Sequence, residues 1–191
     1  MEWSVMFMGP VGSGKTTAVR SISDIEVVST DELATDEVQK TKSHTTVSMD
    51  VGVMALDDKD KLRIYGTPGQ DRFDFMWDIL LEQCKGVLLV INHAAPDPIA
   101  DLDHYYRELV GRQGARYLPV VVCISHLDMG AQGSLSAYQD YFKTNLGLAP
   151  EHVPPILSMD ARNKTQVRAA LVAMTALLEM VERFPKAAQK K

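Results

Sequence analysis

Gly9-Pro10-Val11-Gly12-Ser13-Gly14-Lys15-Thr16 fits the pattern G-x-x-x-x-G-K-[ST] without a mismatch. Residues of these types at this spacing do phosphate chemistry. The glycines let backbone N–H groups turn inward as an anion-binding nest, and a helix that starts behind them adds a partial positive charge. Lys15 is then placed to reach the β- and γ-phosphates of a nucleotide, and the Thr16 hydroxyl to ligate Mg2+. The expected cradle is Gly9, Val11, Gly12, Ser13, Gly14, Lys15, Thr16 and Thr17.

Such a loop needs a strand before it and a helix after it. Trp3 to Met8 is an apolar run, and Thr17-Ala18-Val19-Arg20-Ser21-Ile22 continues as a helix. A long polar stretch, Ser23 to His44, follows, and connections of that length are usually functional or mobile. Val47, Met49, Val51, Val53 and Ala55 then alternate with Thr46, Ser48, Asp50 and Gly52, the period of a half-buried strand with the apolar set inward. After the turn Asp57-Asp58-Lys59-Asp60, Leu62-Arg63-Ile64-Tyr65 returns as its antiparallel neighbour. Gly86 to Ile91 and Tyr117 to Ile124 are apolar runs suited to strands covered on both faces, and Ile156 to Met159 is a shorter, peripheral one.

Helical spacing links Phe73, Met76, Trp77, Leu80, Leu81 and Cys84, and Asp101 to Arg112 reads as another helix. The clearest stripe is Val167, Ala170, Leu171, Met174, Leu177, Leu178 and Val181. The alternation predicts an α/β fold: a mostly parallel six-stranded sheet, its second strand antiparallel, with helices on both faces. One domain is expected over 1–185, with a basic tail at 186–191.

Composition excludes several classes. At 191 residues and 46% apolar content, one domain with a real core is expected, and net charge −5 argues against a general nucleic-acid binder. Cys84 and Cys123 sit in apolar surroundings, so reduced core thiols are expected in place of a disulfide or metal site. No run approaches ~18 apolar residues, and neither a leader peptide nor a lipidation box is evident. A cytoplasmic protein without an integral membrane segment is the expectation.

Downstream, Tyr65-Gly66-Thr67-Pro68-Gly69-Gln70-Asp71-Arg72-Phe73 follows a strand directly. In such a loop the Gly69 N–H can bond a γ-phosphate and Gln70 can orient an attacking water. This stretch resembles the switch II segment of Ras-like small GTPases, D-T-A-G-Q-E-R-F. The resemblance implies that Thr46, or its neighbour Thr45, closes over Mg2+ as the switch I threonine. The implied metal ligands are then Thr16 and Thr46, and the implied catalytic set is Gln70, Lys15 and Thr46. Ser125-His126-Leu127-Asp128 lies where the family has N-K-x-D. There the Asp128 carboxylate accepts from both N1–H and the 2-amino group of guanine, a pairing that adenine cannot offer. Ser125 and His126 depart from the family's Asn and Lys, which implies a looser base selectivity. Met159-Asp160-Ala161-Arg162 resembles the S-A-K loop, with Asp160 beside the base, the Ala161 N–H on guanine O6 and Arg162 over the base plane.

The resemblance runs from end to end and is nearest to the prokaryotic branch, which holds the gliding and polarity GTPases and those encoded beside roadblock/LC7-type proteins. It implies a molecular switch that binds GTP or GDP with Mg2+ and acts through protein partners at the switch regions, such as a roadblock/LC7-type or activating protein. The surface strand Thr46 to Ala55 is the expected partner edge. Two departures imply slow hydrolysis. Gly66 stands where most of the superfamily has a Walker-B Asp, and no replacement acid is evident in sequence. Val11 stands where a side chain crowds the transition state. Arg72 is either an internal arginine finger or a structural arginine. The competing readings are a nucleotide-holding scaffold with little hydrolysis, and a small-molecule kinase with Arg107, Arg112 and Arg116 near a second substrate.

Overall fold

In the computed structural model, which describes residues 2–29, 49–56, 60–69, 74–114, 116–129 and 134–184, the run before the phosphate loop is strand β1 (Glu2–Met8). Its residues Val5 to Met8 are fully buried, so β1 lies at the centre of a sheet covered on both faces. The other strands are β2 (Val28–Ser29), β3 (Asp50–Ala55), β4 (Lys61–Gly66), β5 (Gly86–Asn92), β6 (Val120–Ser125) and β7 (Ile156–Ser158). Their spatial order is β2-β3-β4-β1-β5-β6-β7. β4, β1, β5, β6 and β7 are mutually parallel, while β3 runs antiparallel to β4 and β2. The expected sheet with one antiparallel strand is therefore present, extended by the two-residue edge β2.

Helix α1 (Lys15–Ile22) and helix α5 (Lys164–Arg183) cover one face, with Val19, Ile22, Leu171 and Met174 against Phe7, Leu88 and Val90. On the opposite face lie α2 (Phe75–Gln83), α3 (Pro98–Arg112) and α4 (Ser136–Asp140), the last running on into a π-helical turn, Tyr141–Asn145. Trp77, Leu81, Tyr105, Leu109 and Phe142 pack there on Met6, Met8, Leu89 and Ile91. The α5 stripe is buried as its spacing requires, and Asn163 caps the helix by accepting from the N–H groups of Thr165 and Gln166. Cys84 and Cys123 are buried free thiols, each pushed up to about 12 by burial.

Two expectations about β3 are corrected. Its inward face carries Asp50, Gly52 and Met54, whereas Val51 and Val53 are half-buried and Ala55 is exposed. The parity is set by α1: a Cβ at Gly52 would stand 2.9 Å from Val19 Cγ1, so only the smallest residue lets the helix sit down. The second correction concerns the partner edge. β3 is not open, because β2 pairs with Asp50 and Val51 and the preceding loop satisfies the rest. The Val53 N–H donates to Ser23 Oγ at 3.1 Å, the Asp24 N–H to the Val53 carbonyl at 2.7 Å and the Ala55 N–H to Asp24 Oδ2 at 2.8 Å. β6 also starts later than its apolar run, at Val120, because Pro119 has no N–H for a ladder. The tail 186–191 lies outside the described residues.

Candidate functional site

The phosphate loop leaves the carboxyl end of β1, where the strands on its two sides connect in opposite directions, the place at which open α/β sheets bind ligands. Gly9, Gly12 and Gly14 adopt φ of 145°, 75° and 96°, which turns the loop's amides toward a common centre. At Gly9 a Cβ would stand 2.1 Å from the Val90 carbonyl oxygen, so no other residue fits. Ser13 is buried, Val11 is 64% exposed and Thr17 lies exposed on the first turn of α1.

Lys15 is only 6% exposed. Its ammonium donates to the carbonyls of Gly9 at 2.7 Å and Pro10 at 2.6 Å. Burial lowers its pKa to about 8, with the Asp50 carboxylate pulling the other way. An ammonium held at the mouth of a ring of amides is the arrangement that binds polyphosphate.

Asp50 is a candidate site residue that the sequence pattern sends to the opposite face. It is 4% exposed, and its Oδ2 accepts from the Thr16 hydroxyl at 2.5 Å. Its Oδ1 is buried and has no hydrogen-bond partner among the described residues. Thr16 and this carboxylate fit a hard divalent cation such as Mg2+, whose remaining ligands come from phosphates and water. Among the described residues no three His, Cys, Asp or Glu side chains gather as a metal group.

Gly69 lies directly on the phosphate loop. A Cβ there would stand 2.6 Å from the Val11 nitrogen and 2.8 Å from the Pro10 carbonyl carbon. Tyr105 of α3 holds this backbone by donating its hydroxyl to the Gly69 carbonyl at 3.2 Å. Gln70, Arg72, Thr45 and Thr46 lie outside the described residues.

The Ser125–Asp128 loop is tied to the phosphate loop by a buried bond. Ser125 Oγ donates to the Ser13 carbonyl at 2.8 Å, with the Ile91 carbonyl 3.2 Å away and His126 Nδ1 at 2.9 Å. The Ser thus does the work of joining the two loops, and His126 follows at φ 56°, a backbone conformation uncommon for a non-glycine residue. A Cβ on Gly14 would meet Ala161 Cβ at 3.0 Å and His126 Cε1 at 4.0 Å, so the loops that carry His126 and Ala161 both border the phosphate loop. Arg162 donates to Asp160 at 2.9 Å and to Asp128 Oδ2 at 3.3 Å. The Arg162 guanidinium holds the Asp160 carboxyl down at about 2. The carboxylate expected to read guanine is therefore oriented by the neighbouring loop.

Arg107, Arg112 and Arg116 do not converge on a second pocket. Arg107 pairs with Asp103, Arg112 binds Asp74, Asp78 and Glu108, and Arg116 donates to the carbonyls of Leu81, Glu82 and Cys84 at the end of α2. Among the described residues no helix is long and apolar enough to cross a membrane.

A family model described as "Conserved hypothetical ATP binding protein" matches residues 24–191, beyond the phosphate loop. The uncharacterized protein MJ1339 of Methanocaldococcus jannaschii is 27% identical over 130 residues, 68% of this chain and 73% of its own. ADP-ribosylation factor-related protein 1 of Homo sapiens is 21% identical over 128 residues, covering 67% of this chain and 61% of that relative, less than two thirds of its length. Among solved structures, the Arl6 BBS3 small GTPase from Trypanosoma brucei, with bound nucleotide analogue GppNp, superposes with a TM-score of 0.68 at 13% identity. That superposition covers 94% of this chain and 98% of the other.

Proposed function

The chain belongs to the family described as conserved hypothetical ATP binding proteins and has the fold of a small GTPase, and from that premise we propose that it is a guanine-nucleotide switch with slow, Mg2+-dependent hydrolysis of GTP to GDP. The observation that carries the reading is the bond from Ser125 to the Ser13 carbonyl. It sets Asp128 on a loop anchored to the phosphate cradle, so one ligand with a base at one end and phosphates at the other can engage both.

In this reading Gly9 to Thr17 cradle the phosphates and Lys15 neutralises them. Thr16 holds Mg2+, with Thr46 joining when the switch closes. Gly69 donates its N–H to the γ-phosphate and Gln70 orients water. Asp128 reads N1–H and the 2-amino group, the Ala161 N–H reads O6, and His126 and Arg162 flank the ring. Val11, exposed beside Gly69, favours slow turnover. Loss of the γ-phosphate releases the segments around 23–46 and 66–74.

The output is protein binding in the cytoplasm, and the prokaryotic gliding and polarity branch, with a roadblock/LC7-type or activating partner, is the setting we favour. Phe75 and Ile79, one turn apart on α2 and each 52% exposed, supply an apolar contact for such a partner. Titration with fluorescent GDP, a GTP analogue, ADP and ATP, with and without Mg2+, tests the reading. Guanine nucleotides are expected to bind about 100-fold tighter than adenine nucleotides. Equal binding of both would remove Asp128 from its role. Multiple-turnover phosphate release then separates a slow GTPase from a nucleotide-holding scaffold.

A further inference from the structure

We propose that Asp50 is the carboxylate that holds the divalent cation of this site, supplied by the neighbouring strand because β4 ends in glycine. The inference rests on the nucleotide-binding reading above and assigns a residue that the motifs leave vacant.

Three observations carry it. Asp50 and Gly66 face each other in the antiparallel ladder between β3 and β4. They thus share one position along the sheet, at the end where the phosphate loop begins. Next, Asp50 Oδ2 lies 2.5 Å from the Thr16 hydroxyl, the group that the phosphate-loop motif commits to the metal. The second oxygen, Oδ1, is buried without a partner among the described residues. An ionised carboxylate that leaves one oxygen dry and unpaired forfeits most of its hydration free energy. A hard cation, or the water it carries, satisfies that oxygen.

Gly66 is the third observation. A Cβ at this position would stand 3.2 Å from Asp50 Cβ and 3.4 Å from Asp50 Oδ2. A side chain at this position needs Asp50 to shift by a few tenths of an ångström, so a carboxylate on β4 and a carboxylate on β3 compete for the same space. The glycine is thus the complement of Asp50 rather than a plain loss. A stabilising role alone fits less well, because Thr16 needs only one of the two oxygens.

The test uses the purified full chain loaded with fluorescent GDP. Nucleotide dissociation is followed in EDTA and across a Mg2+ titration for wild type, Asp50→Asn, and the exchanged pair Asp50→Gly with Gly66→Asp. The quantity read is the Mg2+ concentration that half-slows dissociation, together with the ratio of the two limiting rates, which cancels any metal-independent loss. Asp50→Asn keeps the size and the acceptor for Thr16 but removes the charge. It is expected to raise the half-saturating Mg2+ by about 10- to 100-fold. The exchanged pair, which returns a carboxylate to the same place from the other strand, is expected to recover part of that loss. A purely structural Asp50 predicts a different pattern: a lowered melting temperature in Asp50→Asn with the Mg2+ response intact. That result overturns the inference while leaving the nucleotide reading in place. A wild type that holds no guanine nucleotide in either condition overturns both.

Discussion

Lys15 carries its charge where water has been removed, and that fixes a pH dependence. Burial lowers its pKa to about 8 against an ordinary 10.5, opposed by Asp50. In the nucleotide-free chain the cost of burying the ammonium is therefore full below pH ~8, on the order of 3 kcal/mol at most. It is relieved as pH rises from about 8 toward 10.5, so this residue makes the empty protein more stable in that window. Phosphate reverses the preference by favouring the charged form. GDP affinity is expected to be constant below pH ~8 and to fall above it, by up to about tenfold per pH unit, with proton uptake on binding. Calorimetry in two buffers of different ionisation enthalpy at pH 8.5 checks this, and a buffer-independent enthalpy would contradict it.

At the base end, Asp128→Ala is expected to weaken GDP by about 100-fold and ADP by less than about threefold. Parallel titrations with the two nucleotides read the difference. Both residues stand out in the sequence as candidates, for different reasons. Lys15 belongs to a contiguous motif whose spacing is local chemistry. Asp128 was found through its order along the chain, because Ser125 and His126 hide the usual neighbours. The place of Asp50 beside Thr16 is not legible, since it depends on which residue lies across from it in another strand.

Strand faces show the same limit at the scale of elements. β1, β5 and β6 are buried on both sides, so their apolar runs could be read without choosing a face. β3 has two unlike faces, and its valines drew the reading toward the wrong one. Gly52 and Asp50 look like outward positions, yet α1 presses on the glycine and Thr16 holds the acid. α4 and its π-helical turn gave no clear period because they are short, five residues each. Neither did sequence reveal how α3 is joined to α2. Arg112 donates to Asp74 at 2.7 Å, Asp78 at 2.9 Å and Glu108 at 3.0 Å, and stacks 5.4 Å from the Trp77 ring centroid. Single exposed pairs contribute little, but one half-buried guanidinium shared by three acids and a ring contributes more. Arg112→Ala is expected to cost about 1–2 kcal/mol in denaturant unfolding. It is also expected to speed amide exchange across 74–83, at the base of α2, more than in α5. Uniform exchange would mean that the cluster stabilises the fold without fastening this helix.

For the molecule as a whole, the sheet brings the phosphate loop and the Ser125–Asp128 loop together from opposite halves of the sequence, so on the proposed reading occupancy by a single ligand reports on both. Ligand at about 100 times its Kd stabilises the native state by roughly 2.7 kcal/mol. For a chain of this size that raises the melting temperature by about 5–10 °C. A nucleotide bound about 100-fold more weakly, at the same concentration, adds only about 0.4 kcal/mol, or roughly 1 °C. Thermal unfolding with GDP and with ADP at equal concentration therefore measures base recognition directly, without labels or turnover. The family's description names ATP, and nothing in the amide cradle distinguishes the two nucleotides, because both present the same phosphates. On the proposed reading, discrimination comes from Asp128 and the Ala161 N–H, since a carboxylate facing adenine N1 meets a second acceptor and an N–H facing the adenine 6-amino group meets a second donor. A large shift with GDP and a small one with ADP follows if Asp128 reads the base. Equal large shifts would leave the cradle working and assign the Asp128–Arg162 pair to structure alone.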